Sequence, residues 1–123
     1  MTMGYNFDGK VFRSVSNTGN GEVGSETRFH YRQSGDVVTA TYQGGDIVSG
    51  HLIAKVRANG QLDMRYHHLN SKGELMLGTC VSTPRLLADG RMRVSEEWQW
   101  LSGDMSRGHS EIEEERHVEA DRA

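Results

Sequence analysis

The run Glu96-Glu97-Trp98-Gln99-Trp100 sets two carboxylates beside the only two tryptophans of the chain. In an extended strand side chains alternate, so Glu96, Trp98 and Trp100 share one face while Glu97 and Gln99 share the other. A carboxylate buried among indole rings must find hydrogen-bond donors or keep a proton, because an unpartnered buried charge is costly. Held by donors, it can orient a ligand's polar end. With its proton retained, it becomes an acid available near neutral pH. The second such stretch is Arg65-Tyr66-His67-His68. Alternation sends Tyr66 and His68 to one face and His67 to the other, so the neighbouring histidines cannot chelate one ion together. His67 falls opposite His51 on the outer face. No third ligand is specified, and neither a metal site nor a cofactor is expected. With Tyr42, the candidate lining of a ligand site is Tyr42, Tyr66, His68, Glu96, Trp98 and Trp100. Ser110 and Glu114 are further polar members. Tyrosine and histidine supply hydrogen bonds, and tryptophan supplies flat apolar wall with one N–H. Such a mixture is typical of small-molecule pockets. His68 and Glu96 are also the candidates for a catalytic acid–base pair. Cys80 reads as an inert core thiol, since a reactive one needs exposed, electropositive surroundings.

The elements that must position these residues are short and alternating. From Ser25 onward, alternation is broken by Ser34-Gly35, Gly44-Gly45, Asn59-Gly60, Lys72-Gly73, Asp89-Gly90 and Ser102-Gly103-Asp104. This is the pattern of consecutive antiparallel hairpins. Strands are expected at 10–16, 25–33, 36–43, 46–58, 61–70, 74–83, 91–101 and 107–117. An open sheet of about eight strands would expose two edges and an apolar face, and closure removes both problems. The fold class is therefore all-β: an antiparallel up-and-down meander barrel, calycin-like, with a half-open barrel or roll as the alternative. Residues 1–123 form one domain, with 1–9 and 118–123 as loose ends. The tail 111–123 is compatible with helix or with strand and frayed end.

Turn length selects the register. A two-residue turn at Asn59-Gly60 would put Lys55 and Arg57 on the face of Leu62 and Met64. A three-residue turn with Gly60 left-handed pairs Arg57 with Gln61, which sets Val56 opposite Leu62, Ala54 opposite Met64 and Leu52 opposite Tyr66. This places apolar on apolar, and a one-residue slip would reverse the faces. The same turn pairs Asn70 with Glu74 and Leu87 with Arg91. Tyr66 then faces Gly78, Cys80 lies between Met64 and Trp98, and Gly78 faces Trp100. The expected interior runs from Phe29, Tyr31, Val38, Ala40 and Tyr42 through Val48, Leu52, Ala54, Val56, Leu62 and Met64. It continues with Tyr66, Met76, Cys80, Val94, Trp98, Trp100 and Ile112, and His68 and Glu96 share that face.

Composition narrows the partners. The 17 acidic residues outnumber the 14 basic ones, giving a net charge of -3. That balance, with no basic stripe, argues against nucleic acid. A single cysteine allows no disulfide within the chain and suits a reducing compartment. No apolar run reaches the roughly 20 residues of a membrane span, so a cytoplasmic protein without membrane contact is expected. On the outer face, Leu75, Leu77 and Val81, with Leu69 and Ile53 beside them, form an apolar stripe that points to a homodimer.

The segments ETRFHYRQ, VTATYQGGDI, GHLIAKV, DMRYHHLN, GELM, STP and EEWQW resemble a group of small bacterial all-β proteins often labelled "N-acetylglutamate synthase". The resemblance spans roughly residues 10–115 and implies a shared fold. Acetyl-coenzyme A transfer by the usual acetyltransferase fold uses a Q/R-x-x-G-x-G/A loop at a helix start. Arg32–Val37 and Arg57–Leu62 both lack the last glycine or alanine and fall at hairpin turns, so that activity is not expected. The leading expectation is a small-molecule-binding barrel. The alternatives are a His68/Glu96 isomerase or cyclase and a filled structural barrel.

Overall fold

A computed structural model describes residues 5–116. Eight strands follow one another: β1 (Val11–Asn17), β2 (Arg28–Ser34), β3 (Val37–Gly44), β4 (Ile47–Val56), β5 (Leu62–Asn70), β6 (Leu75–Leu86), β7 (Met92–Trp100) and β8 (Arg107–Glu114). Each pairs antiparallel with its neighbour in sequence, and β1 pairs with β8, so the barrel is closed. The described residues contain no helix, and hence none long and apolar enough to cross a membrane. The 111–116 stretch, open between helix and strand from sequence, is strand through Glu114.

Three hairpins share one turn, and that turn sets the site's geometry. Arg57 N–H donates to Gln61 O at 2.8 Å and Gly60 N–H to Arg57 O at 2.9 Å. Asn70–Glu74 and Leu87–Arg91 repeat the pattern. Gly60, Gly73 and Gly90 take φ of 89°, 82° and 89°, the left-handed conformation that a three-residue loop with a bulge requires. The resulting pairs, Leu52 with Tyr66, Tyr66 with Gly78 and Gly78 with Trp100, agree with the register expected from the pattern. Gly60→Val forces a β-branched residue into that conformation. It is expected to cost roughly 1–3 kcal/mol, read from urea denaturation, and an unchanged midpoint would contradict the strain argument.

The interior has two parts. Where β1 begins, Phe7, Phe12 and Tyr31 pack together with ring centroids 5.0 to 5.7 Å apart. Phe7 is only 1% exposed, so the chain just ahead of β1 contributes this one buried ring to the core. The remainder of the expected loose ends lies outside the described residues. At the opposite end, where β1, β3, β5 and β7 finish, the interior is lined by Tyr42, His68, Trp98 and Trp100.

The pattern misplaced some residues. Val48 was expected inside but is 53% exposed, and Ile47 is buried instead. A shift between Ile47 and Ser49 in the pairing with β5, and another between Tyr42 and Gly44 in β3, reverse the alternation there. Val56, Tyr66 and Met76 are only partly buried. The strand expected to stop at Thr83 continues to Leu86 through Pro84. The ladder with β5 ends at Ser82, so the missing proline N–H falls beyond it and costs no bond on that side.

Candidate functional site

Glycines make room for the rings that wall the site. Gly50 lies opposite Tyr42, Gly78 opposite both Tyr66 and Trp100, and Gly108 opposite Trp98. A Cβ on Gly50 would come within 2.6 Å of the Tyr42 ring, and one on Gly78 or Gly108 would overlap Tyr66 or Trp98. Each ring thus lies across a neighbouring strand's bare backbone. Trp100 then stands edge-on to Tyr66, His68 and Trp98, at centroid distances of 5.8, 5.7 and 5.5 Å. Such edge-to-face pairs add to the apolar burial.

Glu96 points into this wall and is 8% exposed. Ser110 Oγ donates to its Oε1 at 3.1 Å and Ser82 Oγ to its Oε2 at 3.3 Å. Burial pushes its carboxyl up to about 7, and the two hydroxyl hydrogen bonds hold it below where burial alone would take it. The donors expected from sequence, Tyr66 or a protonated His68, are replaced by these two serines. They are short enough to reach from the adjacent strands, where Ser82 and Ser110 face Glu96 directly.

His68 belongs to a different network. Its Nδ1 lies 2.9 Å from the Tyr42 hydroxyl and its Nε2 lies 2.8 Å from Glu22 Oε1. Burial lowers the imidazole's proton affinity more than Glu22 raises it, which leaves the ring neutral at pH 7. The network assigns the tautomer: Nε2–H donates to the Glu22 carboxylate and Nδ1 accepts from Tyr42 O–H. Tyr42 is buried and its hydroxyl is held well above the usual phenol range, so it keeps its proton. No hydrogen bond joins His68 to Glu96, and the two catalytic candidates are engaged by separate partners.

Residues of the β1–β2 connection close this end of the barrel. Glu22 Oε2 also accepts from Asn70 Nδ2 at 3.1 Å, and Trp100 Nε1–H donates to Asn20 O at 3.1 Å. Asn17 Nδ2 donates to Val23 O at 3.0 Å. Asn17 Oδ1 is buried with no hydrogen-bond partner among the described residues. The space these groups border is about 50 Å³. That is room for a few waters, short of the roughly 300–1,000 Å³ of drug-sized sites.

All six expected lining residues (Tyr42, Tyr66, His68, Glu96, Trp98 and Trp100) border this one cavity, and Ser110 joins them. Glu114 does not. It lies at the other end, accepting from Met92 N–H at 3.0 Å. Asn17, Glu22 and Ser82 were missed. The only signal for Glu22 was a lone acid inside the glycine-rich run 17–24. Cys80 lies beneath the cavity, buried between Met64 and Trp98, with its thiol held well above the usual range by burial. His51 and His67 face each other outside the barrel with ring centroids 5.7 Å apart.

A closed eight-stranded meander with an aromatic-walled cavity at one end defines a class, the calycin-type barrels. The chain belongs to the family described as Avidin-like protein, which it matches over residues 5–115. That family consists of small-molecule-binding β-barrels. No curated protein and no solved structure gives a match.

Proposed function

We propose that this barrel binds a small, partly apolar molecule among Tyr42, Tyr66, His68, Glu96, Trp98 and Trp100. The observation that carries the reading is Asn17 Oδ1, a buried acceptor without a partner among the described residues, bordering the cavity. Buried polar atoms are almost always satisfied, so one left open beside an aromatic cavity calls for a donor from a bound molecule or water. Glu96 adds a second acceptor once ionised. A ligand with N–H or O–H groups on a flat apolar body suits that arrangement.

Native mass spectrometry of the purified protein tests this directly, with a retained small molecule expected. Both tryptophans line the cavity, so titration with candidate ligands should change their fluorescence. Biotin, a small ligand of the family, is the first to try. A bare-chain mass together with unchanged emission across a chemically varied ligand panel would overturn the reading.

The same proposal includes a homodimer. Leu75 and Leu77 are 78% and 46% exposed, with Ile53 at 57% and Leu101 at 41% beside Leu77. Val81 continues the stripe, half-buried. Contiguous exposed apolar surface of this kind favours association. Leu77→Glu is expected to shift a micromolar dimer to monomer in sedimentation velocity, since a charge would enter an apolar contact. A wild type that sediments as a monomer would sink the idea.

A further inference from the structure

The residues that close the cavity do so with a carboxylate, and its two oxygens are used separately. Glu22 Oε1 accepts from His68 Nε2 at 2.8 Å and Oε2 from Asn70 Nδ2 at 3.1 Å. Both donors belong to β5 and are buried, His68 at 2% and Asn70 at 3% exposed. They are therefore fixed features of the barrel wall. Glu22 is not: it belongs to the connection between β1 and β2, outside any strand.

That connection is held by separate hydrogen bonds rather than by a strand ladder, among them Asn17 Nδ2 to Val23 O at 3.0 Å and Gly24 N–H to Thr27 Oγ1 at 3.1 Å. Asn20 is anchored, with Nδ2 donating to Ser106 Oγ at 2.9 Å and to Arg107 O at 2.8 Å. Thr27 is anchored too, fully buried with its hydroxyl donating to Gly44 O at 3.0 Å. Between these anchors lie Gly21, Glu22, Val23, Gly24, Ser25 and Glu26. Val23 is the only aliphatic side chain from Thr18 to Glu26. The segment thus has two fixed ends, two glycines that can absorb a change of backbone angles, and a single aliphatic side chain, Val23, packed against the core. Glu22 and Val23 both border the cavity, so their outward movement would enlarge it.

We propose that the Glu22 carboxylate is an internal stand-in for the ligand's own carboxylate, which displaces it and binds His68 Nε2–H and Asn70 Nδ2–H. This rests on the interior-binding reading above and adds the ligand's chemical class: a monocarboxylate whose apolar body lies against Trp98, Trp100 and Tyr66. The geometry already suits it. Two donors from alternate residues of one strand meet the two oxygens of one planar group. Tyr42 holds the imidazole in the tautomer that donates. A ligand that must first displace Glu22 binds with an apparent affinity reduced by the fraction of molecules in which the segment is open.

The test compares wild type, Glu22→Ala and Asn70→Asp against acetate, hexanoate and phenylacetate, each paired with its neutral amide. Tryptophan fluorescence and the His68 ring resonances provide the readouts. Removing the stand-in should tighten carboxylate binding by about tenfold or more and leave the amides nearly unchanged. Acetate should raise the thermal midpoint of Glu22→Ala more than acetamide does, a rescue that does not depend on the apolar body. Asn70→Asp keeps the acceptor that holds Lys72 and Glu74 N–H, gives up the Nδ2 bonds to Glu22 Oε2 and to Glu74 Oε1, and puts a like charge in the donor's place, so it should abolish carboxylate binding. If Glu22→Ala shows neither the gain nor the rescue while amides still perturb the tryptophans, the carboxylate proposal is wrong and interior binding stands. If no compound perturbs the tryptophans in any variant, interior binding itself fails and the proposal with it.

Discussion

Glu96→Gln should abolish a loss of stability that the native protein undergoes as pH rises from 4.5 to about 7. The folded-state carboxyl holds its proton more tightly than the unfolded one. Its contribution is fully present below the unfolded value, and is lost as pH climbs through the folded value. The displacement from 4.5 to about 7 corresponds to about 3 kcal/mol. Gln preserves the shape, accepts from one serine and donates to the other, and carries no charge at any pH. At pH 8 the variant should therefore be more stable than wild type by up to about 3 kcal/mol, and near pH 4 the two should converge. His68 works in the opposite sense, because burial lowers its proton affinity and folding is disfavoured as pH falls through the unfolded imidazole's range. Taking the difference between variant and wild type removes that contribution. Urea denaturation at several pH values checks the result, and parallel curves for the two proteins would refute a desolvated Glu96. A consequence for binding follows. Near neutral pH this group lies close to half-protonated, so a ligand that donates to it also draws off its proton, and affinity for such a ligand rises with pH.

The hairpin registers were legible because the physics that sets them is local. Asn59-Gly60, Lys72-Gly73 and Asp89-Gly90 each end in a glycine that accepts positive φ, and only one register then puts Leu62 and Met64 inside. From those registers the neighbours of Trp98 and Trp100 followed. Val48 shows where the rule stops: the irregularities near Gly44 and Ile47 reverse the alternation, and no residue type marks a bulge clearly. The loss is greater outside strands. Glu22 reaches the cavity from a glycine-rich connection without periodicity, and its contacts with His68 and Asn70 span 46 and 48 residues. No pattern in a single sequence encodes such a meeting. Glu96 was assigned to the correct face but to the wrong donors, because Tyr66 and His68 are larger and more conspicuous than Ser82 and Ser110. Phe7 was overlooked for a related reason, since a lone aromatic before the first strand carries no alternation.

Trp98→Ala is expected to cost about 3–5 kcal/mol, the range for deleting a large buried ring, and to lower the thermal midpoint by roughly 10 °C or more. The ring lies over Gly108 and edge-on to Trp100, so its removal strips contact from both neighbours at once. The more decisive measurement concerns the glycine. Gly108→Ala in the native protein drives a methyl group into the Trp98 ring and to within 2.6 Å of the Thr18 hydroxyl. The hydroxyl belongs to an exposed side chain and can turn away, whereas the indole is confined by the wall. That substitution should cost about 1–3 kcal/mol, as overpacking does. Once Trp98 is Ala, the methyl group enters space the ring has vacated. The double variant should then be more stable than the sum of the two single losses predicts, by about 1 kcal/mol or more. Additive losses would mean that Gly108 is required for its backbone and not for the ring above it. The cycle thus asks, through stability alone, whether bare backbone on one strand is what allows an indole on the next to lie flat along the cavity wall. If it is, the aromatic wall is a property of the strand pairing, and a ligand enters a surface already in place.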